Sequence, residues 1–176
     1  MPGKIFYEVP SLVTELNHVK RVSATMVFTT SGGFDPLHVG HVRCIQDMSN
    51  LAKTQVLPGV QAVVVVIVNG DNFLYRKKGY VFMPQIERLE MIAALDGVDY
   101  AALWNDETQH VCGALERIRP DFFCKGGDRS SEADVPEFKI CRDIGCKILF
   151  NVGGGKVQSS SELVKNYQNV KGTSHI

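Results

Sequence analysis

The sequence predicts a single α/β domain, one parallel sheet of five strands covered by helices on both faces, and three observations carry that reading. Short β-branched runs alternate with amphipathic segments of helical period along the chain. The run "AVVVVIV", Ala62 to Val68, is apolar at every position, as a strand covered on both faces of a parallel sheet must be. Proline and glycine punctuate the joins, with Pro84 and Pro136 at helix starts and Gly145 just past a helix end. A chain of 176 residues that is 44% apolar buries one good core and has little room for a second.

Each element follows from its pattern. Leu12, Val13, Leu16 and Val19 give Ser11 to Val19 an amphipathic helical face, and Ser23 to Thr30 reads as a buried strand. Gly40 to Lys53 is the next helix, Ala62 to Val68 the central strand, and "PQIERLEMIAAL" a helix whose Ile86, Leu89, Ile92, Ala93 and Leu95 share one side. Strands "DYAALW" and "DFFCK" flank a helix from Thr108 to Arg119 that Pro120 ends. A helix from Pro136, the strand "CKILF" and a helix from Ser160 or Ser161 to about Tyr167 complete the order. The organisation expected is an N-terminal helical segment over 1–22, a domain over 23–167, and a frayed tail over 168–176.

Charge and cysteine usage exclude several classes. Lys plus Arg and Asp plus Glu are both 19, so no global field draws nucleic acid or a membrane, and an anionic ligand must be met by local charge. Five scattered cysteines without a CxxC pair suit a reducing compartment. The start lacks an apolar h-region and "VQAVVVVIV" is too short to span a bilayer, so a cytoplasmic protein with no membrane partner is expected.

Ligands on such sheets bind beyond the carboxyl ends of the strands. The segments that follow the strands, "SGGFDPLHVGH", "NGDNFLYRKKGYVF", "NDET", "KGGDRSSEADVP" and "NVGGGKVQSSS", hold most of the glycines and a high density of charge and hydroxyl groups. In the first, Gly32 and Gly33 permit close approach to the backbone, and His38 and His41 fall where a helix begins, beside free N–H groups and the positive dipole end. That arrangement suits polyphosphate. Its plain alternative is a structural glycine turn with histidines that cap or pack. A zinc site on His38 and His41 is a weaker rival, because no third ligand stands at suitable spacing, and no metal-binding residue is assigned. Trp104 and the phenylalanines read as core. No Gly-x-Ser-x-Gly or Cys-His pattern suggests a covalent nucleophile.

"GGFDPLHVGH" resembles the HxGH motif of the nucleotidyltransferase superfamily, in its cytidylyltransferase-like branch, and "VNGDNFLYRKKG", "FMPQIERLEMIAAL", "GVDY" and "IRPDFFCKGGD" resemble its further motifs in order. The resemblance covers about Met26 to Lys165 and implies a Rossmann-like fold. It implies catalytic roles for His38, His41, Lys77 or Lys78 on a loop over the triphosphate, and Arg88 facing the same edge. It implies nucleotide binding by Gly32, Gly33, Phe34, Asp35, Gly40, Ser159, Ser160 and Ser161, with Asp35 either shaping the loop or approaching a metal-bound phosphate. Acceptor or ribose contacts fall to Asp71, Lys125, Gly126, Gly127, Asp128 and Arg129. Solvated turns for the lysines and for "KGGD", an ion pair for Arg88 with a helix-face carboxylate, and a serine N-cap are the structural alternatives.

The expected reaction moves a nucleoside monophosphate from ATP or CTP to a small phosphorylated sugar or polyol, with Mg2+ accompanying the triphosphate and pyrophosphate leaving. "KGGD" resembles heptose-phosphate adenylyltransferase domains and "SSSELVK" an adenylyltransferase phosphate loop, which favours AMP over CMP transfer. A glycerol-3-phosphate-type cytidylyltransferase and a nucleotide-binding regulatory domain without turnover are the alternatives. A nucleic-acid module fits poorly with zero net charge. The resemblance allows a homodimer, which the sequence itself does not read.

Overall fold

In a computed structural model the chain is described over residues 1–108, 110–127 and 136–172. Its strands are β1 (Lys4–Phe6), β2 (Thr25–Gly32), β3 (Gln61–Asn69), β4 (Tyr100–Trp104), β5 (Phe122–Cys124) and β6 (Lys147–Leu149). They form one parallel sheet in the order β1-β4-β3-β2-β5-β6. The helices are α1 (Val9–Val22), α2 (Val39–Gln55), α3 (Asp71–Lys78), α4 (Gln85–Ala93), α5 (Cys112–Ile118), α6 (Phe138–Ile144) and α7 (Ser160–Gly172).

Among the described residues the sheet has six strands where five were expected. The extra one, Lys4–Phe6, is a three-residue edge strand paired with Tyr100 to Ala102. A strand that short shows no alternation to read. Residues 4–22, which the sequence sets ahead of the 23–167 domain, lie against the same sheet: Phe6, Val9, Leu12 and Leu16 join its core. At the other end α7 runs on to Gly172, beyond the start of the expected tail at 168, and residues 173–176 lie outside the described ones.

Strand β3 explains the two-sided core. Val63, Val65 and Ile67 point into an apolar cluster with residues of α1 and α5, while Val64, Val66 and Val68 point into a second cluster with α2 and α4. This is the alternation of a pleated strand with both faces covered. At the amino end of the sheet, Asp121 and Asp99 accept the backbone N–H groups of Val27 at 2.7 Å and Val64 at 2.8 Å. The carboxyl end is left to loops and helix starts. Among the described residues, no helix is long and apolar enough to cross a membrane.

One expected loop is a helix. α3 carries Lys77 and Lys78 on its last turn, with Asp71 in the first turn and Gly79 closing it at φ 80°. Those are ordinary helix end signals. The periodic signal is weak because only Phe73 and Leu74 are buried along it.

Candidate active site

A cleft of about 530 Å³ opens at the carboxyl end of the sheet, a size common for small-molecule sites. Its floor is the loop from β2 to α2. The α3 lysines, the stretch Lys125 to Gly127, Glu137 and the serines that start α7 form its walls.

His38 and His41 do cap the helix, and the way they do so leaves each with one free donor edge. His38 is the N-cap of α2, and its Nδ1 accepts the N–H of Gly40 at 3.1 Å. The Nδ1 of His41 accepts the N–H of His38 at 3.3 Å. A neutral imidazole whose Nδ1 accepts carries its proton on Nε2. The rings stack with centroids 3.7 Å apart, and both line the cleft. Burial, then the charges of His38 and Lys78, hold His41 down to about 3. Burial and then Lys78 also lower His38. Two neutral Nε2–H donors side by side are therefore what the motif presents near neutral pH. Gly40 makes the stack fit, since a Cβ there would stand 3.1 Å from the His38 ring.

Phe34 supports His41 from behind, edge-on at 5.0 Å, from a left-handed backbone at φ 53°. Gly32 and Gly33 line the cleft as expected, but added Cβ atoms there would first meet the protein's own side chains, the Phe34 ring at 2.9 Å and Leu74 at 2.7 Å.

Asp35 shapes the loop and does not reach the cleft. It is fully buried, and its two oxygens accept the N–H groups of Phe82 at 2.9 Å and Met83 at 2.6 Å. Arg88 corrects the expected catalytic assignment more sharply. Its side chain is 0% exposed and does not line the cleft. Nε donates to the Met83 carbonyl, Nη1 to the carbonyls of Gly33 and Asn69, and Nη2 pairs with Asp71 at 2.7 Å. Asp71 is thereby engaged as the partner of Arg88 and is not among the residues that line the cleft. The physical reason is that α4 turns this face toward the carbonyls of Gly33 and Asn69, at the ends of β2 and β3, and of Met83, just before α4, which need donors.

Lys77 and Lys78 both line the cleft but differ in setting. Lys78 is half-buried, donates to the Asp35 carbonyl at 3.2 Å, and its charge acts on both histidines; burial lowers its pKa. Lys77 holds its ammonium 5.7 Å from the Phe73 ring centroid. The three serines divide their work. Ser159 accepts the N–H of Glu162 at 3.2 Å and donates to its carboxylate at 2.8 Å; Ser160 is buried and donates to the Pro36 carbonyl at 2.9 Å. Ser161 is exposed on the cleft wall.

Lys125, Gly126 and Gly127 line the far end of the cleft. Lys125 pairs with Glu137 at 3.3 Å and lies 4.3 Å from the Phe123 ring centroid. Asp128 and Arg129 lie outside the described residues. Among the described residues, no cluster of three His, Cys, Asp or Glu side chains is placed to hold a metal ion.

Glu137 and Asn69 are among the cleft residues that the sequence reading did not single out. Glu137 sits beside Pro136 and reads there as an ordinary acid at a helix start. Asn69 ends β3, is 6% exposed, lines the cleft and has an Oδ1 without a hydrogen bond. A polar residue closing an otherwise apolar strand at the ligand edge was the signal available for it.

The profile of the cytidylyltransferase-like family matches residues 29–147. Among curated proteins, the bifunctional protein HldE of Citrifermentans bemidjiense is 36% identical over 111 residues, 62% of this chain and 20% of that one. HldE of Syntrophotalea carbinolica is 34% identical over 127 residues, 71% of this chain and 24% of that one. The chain thus spans about a fifth to a quarter of the length of these relatives. Among solved structures, the lipopolysaccharide core biosynthesis protein of Thermoplasma volcanium superposes with a TM-score of 0.57 at 26% identity, covering 72% of this chain and 95% of that chain. Pantoate-beta-alanine ligase of Francisella tularensis, at 14% identity and a TM-score of 0.57 over 89% of this chain and 68% of that chain, shares the fold.

Proposed function

The chain belongs to the cytidylyltransferase-like family, and from that premise we propose that it transfers a nucleoside monophosphate from a nucleoside triphosphate to a small phosphorylated sugar or polyol. The observation that carries this reading is the pair of neutral Nε2–H donors stacked at the start of α2. A phosphate oxygen of the acceptor attacks the α-phosphorus, the bond to the β-phosphate oxygen breaks, and pyrophosphate departs. No enzyme nucleophile is needed. The two imidazoles, the positive dipole end of α2 and the Lys78 ammonium meet the charge that grows on the phosphoryl oxygens. Lys77, Lys125 and Ser161 are further cleft-lining groups able to meet phosphates, and Gly127 leaves the backbone open to the ligand, while Gly126 packs against Cys44 and Val152. Alignment of two phosphates in one cleft supplies the rest. Neutral imidazoles suit this task because they donate without competing for the proton of a buffer or a phosphate.

Magnesium enters as part of the substrate, held by triphosphate oxygens and water. The likeness to HldE and to a lipopolysaccharide core biosynthesis protein favours a sugar phosphate as acceptor. The resemblance of the "KGGD" stretch and the serine triplet to adenylyltransferase motifs favours ATP over CTP as donor. Pyrophosphate release, measured with ATP and CTP against heptose, glycerol and related phosphates, tests the proposal. Release with ATP and one sugar phosphate is expected. A preference for CTP overturns the donor assignment, and no release with any pair favours a binding domain without turnover.

A further inference from the structure

The far end of the cleft is chemically unlike the rest. His38, His41 and Lys78 bring hydrogen-bond donors and positive charge to the cleft, whereas Glu137 brings a carboxylate into the same cavity. The residue is 5% exposed. Its Oε1 accepts the N–H of Val111 at 3.4 Å; its Oε2 lies 3.3 Å from Lys125 Nζ, shut from solvent, without a hydrogen bond. Burial pushes its pKa up, but the Lys125 charge and backbone hydrogen bonds outweigh this, and the net direction is down, so the group is ionised.

A buried ionised oxygen with unfilled acceptor sites is costly, and a carboxylate offers about four such sites. It also repels the polyphosphate that the opposite wall attracts. Both facts are accounted for by a ligand group that donates a proton. A phosphate near neutral pH brings its own negative charge against the carboxylate, and an amine would duplicate Lys125. A hydroxyl fits. We propose that Glu137 is the residue by which this cleft recognises a sugar or polyol hydroxyl, with Lys125, whose ammonium lies over the Phe123 ring, holding the carboxylate in place. The proposal rests on the nucleotidyl-transfer reading, in which two ligands carry such hydroxyls: the ribose of the triphosphate and the phosphorylated acceptor.

Equilibrium binding separates the sources. Calorimetric titration of the wild type and Glu137→Gln with tripolyphosphate, inorganic phosphate, ATP and CTP with their 2′- and 3′-deoxy forms, and glycerol 3-phosphate reads each arm. The variant should weaken at least one hydroxyl-bearing ligand by about tenfold to a hundredfold, the scale of one hydrogen bond to a charged group. Bare phosphates should bind as before or more tightly. If the loss falls on the nucleotides and vanishes with a deoxy form, the hydroxyl is the ribose's; if it falls on glycerol 3-phosphate, it is the acceptor's. Equal losses for bare and hydroxylated ligands, or none, overturn the proposal. Gln keeps an oxygen for the Val111 N–H; should that variant nevertheless melt early, the deoxy ligands on the wild type carry the test, and indifference to every hydroxyl overturns it. Failure of nucleotidyl transfer is read separately, by pyrophosphate release, and leaves these binding results standing.

Discussion

His38 and His41 face the cleft; Arg88, Asp35 and Asp71, charged residues from equally motif-like stretches, stand behind its wall. The histidines keep an unused donor toward the cavity after capping α2, while the guanidinium of Arg88 donates to three carbonyls and a carboxylate of the protein itself. The difference teaches that a charged residue in a ligand-edge motif has two ways to serve. It either meets the ligand or ties together the segments that do. Burial and partner count decide which.

The largest effect should come from breaking the wall. Arg88→Met leaves Asp71 and the carbonyls of Gly33, Asn69 and Met83 without their donor, and should cost about 3–5 kcal/mol of stability, the range for removing one partner of a buried ion pair. Urea unfolding checks it. Unchanged stability with a raised KM for triphosphate would move Arg88 to the cleft-facing side.

His41→Ala should do the opposite, lowering turnover by about two to three powers of ten while costing roughly 1 kcal/mol of stability through the lost cap. Pyrophosphate release and thermal melting, measured together, give the two numbers. Turnover within a fewfold of wild type would leave His41 as a cap alone.

Lys78 and Lys77 sharpen the comparison within one wall. Lys78→Ala should weaken triphosphate binding by about tenfold to a hundredfold, the loss of one charge-assisted hydrogen bond, and Lys77→Ala by much less, because only Lys78 acts on the imidazoles. Equal effects would contradict the distinction.

Acidity gives an effect that appears only below the ordinary histidine range. Because His41 is held down to about 3 in the folded protein, the unfolded chain binds one more proton between that value and the ordinary histidine pKa of about 6.5. The contribution of neutral His41 is therefore complete above about pH 6.5 and is lost progressively as pH falls toward 3. The melting temperature of His41→Asn should fall less steeply than that of the wild type across this window. Parallel curves would contradict the burial of a neutral imidazole.

Much of this architecture was legible because long periodic segments dominate it: β2, β3, α2 and α4 fall where their apolar spacing placed them. The three-residue strand at Lys4 was not, since pairing with β4 defines it and no local pattern does. In the site, the motif located His38, His41, Lys77, Lys78 and the serines at the right edge of the sheet. It did not tell Arg88 from them, because facing depends on where α4 docks, a tertiary matter. Glu137 was hidden for the same reason: its partner Lys125 comes from another element, and sequence shows only an acid after a proline.

The paired imidazoles as neutral, cleft-facing donors to a triphosphate are the centre of this account, and nitrogen-15 NMR of labelled histidine tests them most directly. His41 should show the neutral Nε2–H tautomer from about pH 5 to pH 8, and His38 should show the same tautomer near neutral pH. Adding the magnesium triphosphate should shift their Nε2 resonances and leave Nδ1 nearly still. Protonation of both near pH 6.5, the Nδ1–H tautomer, or Nε2 signals indifferent to nucleotide would contradict it.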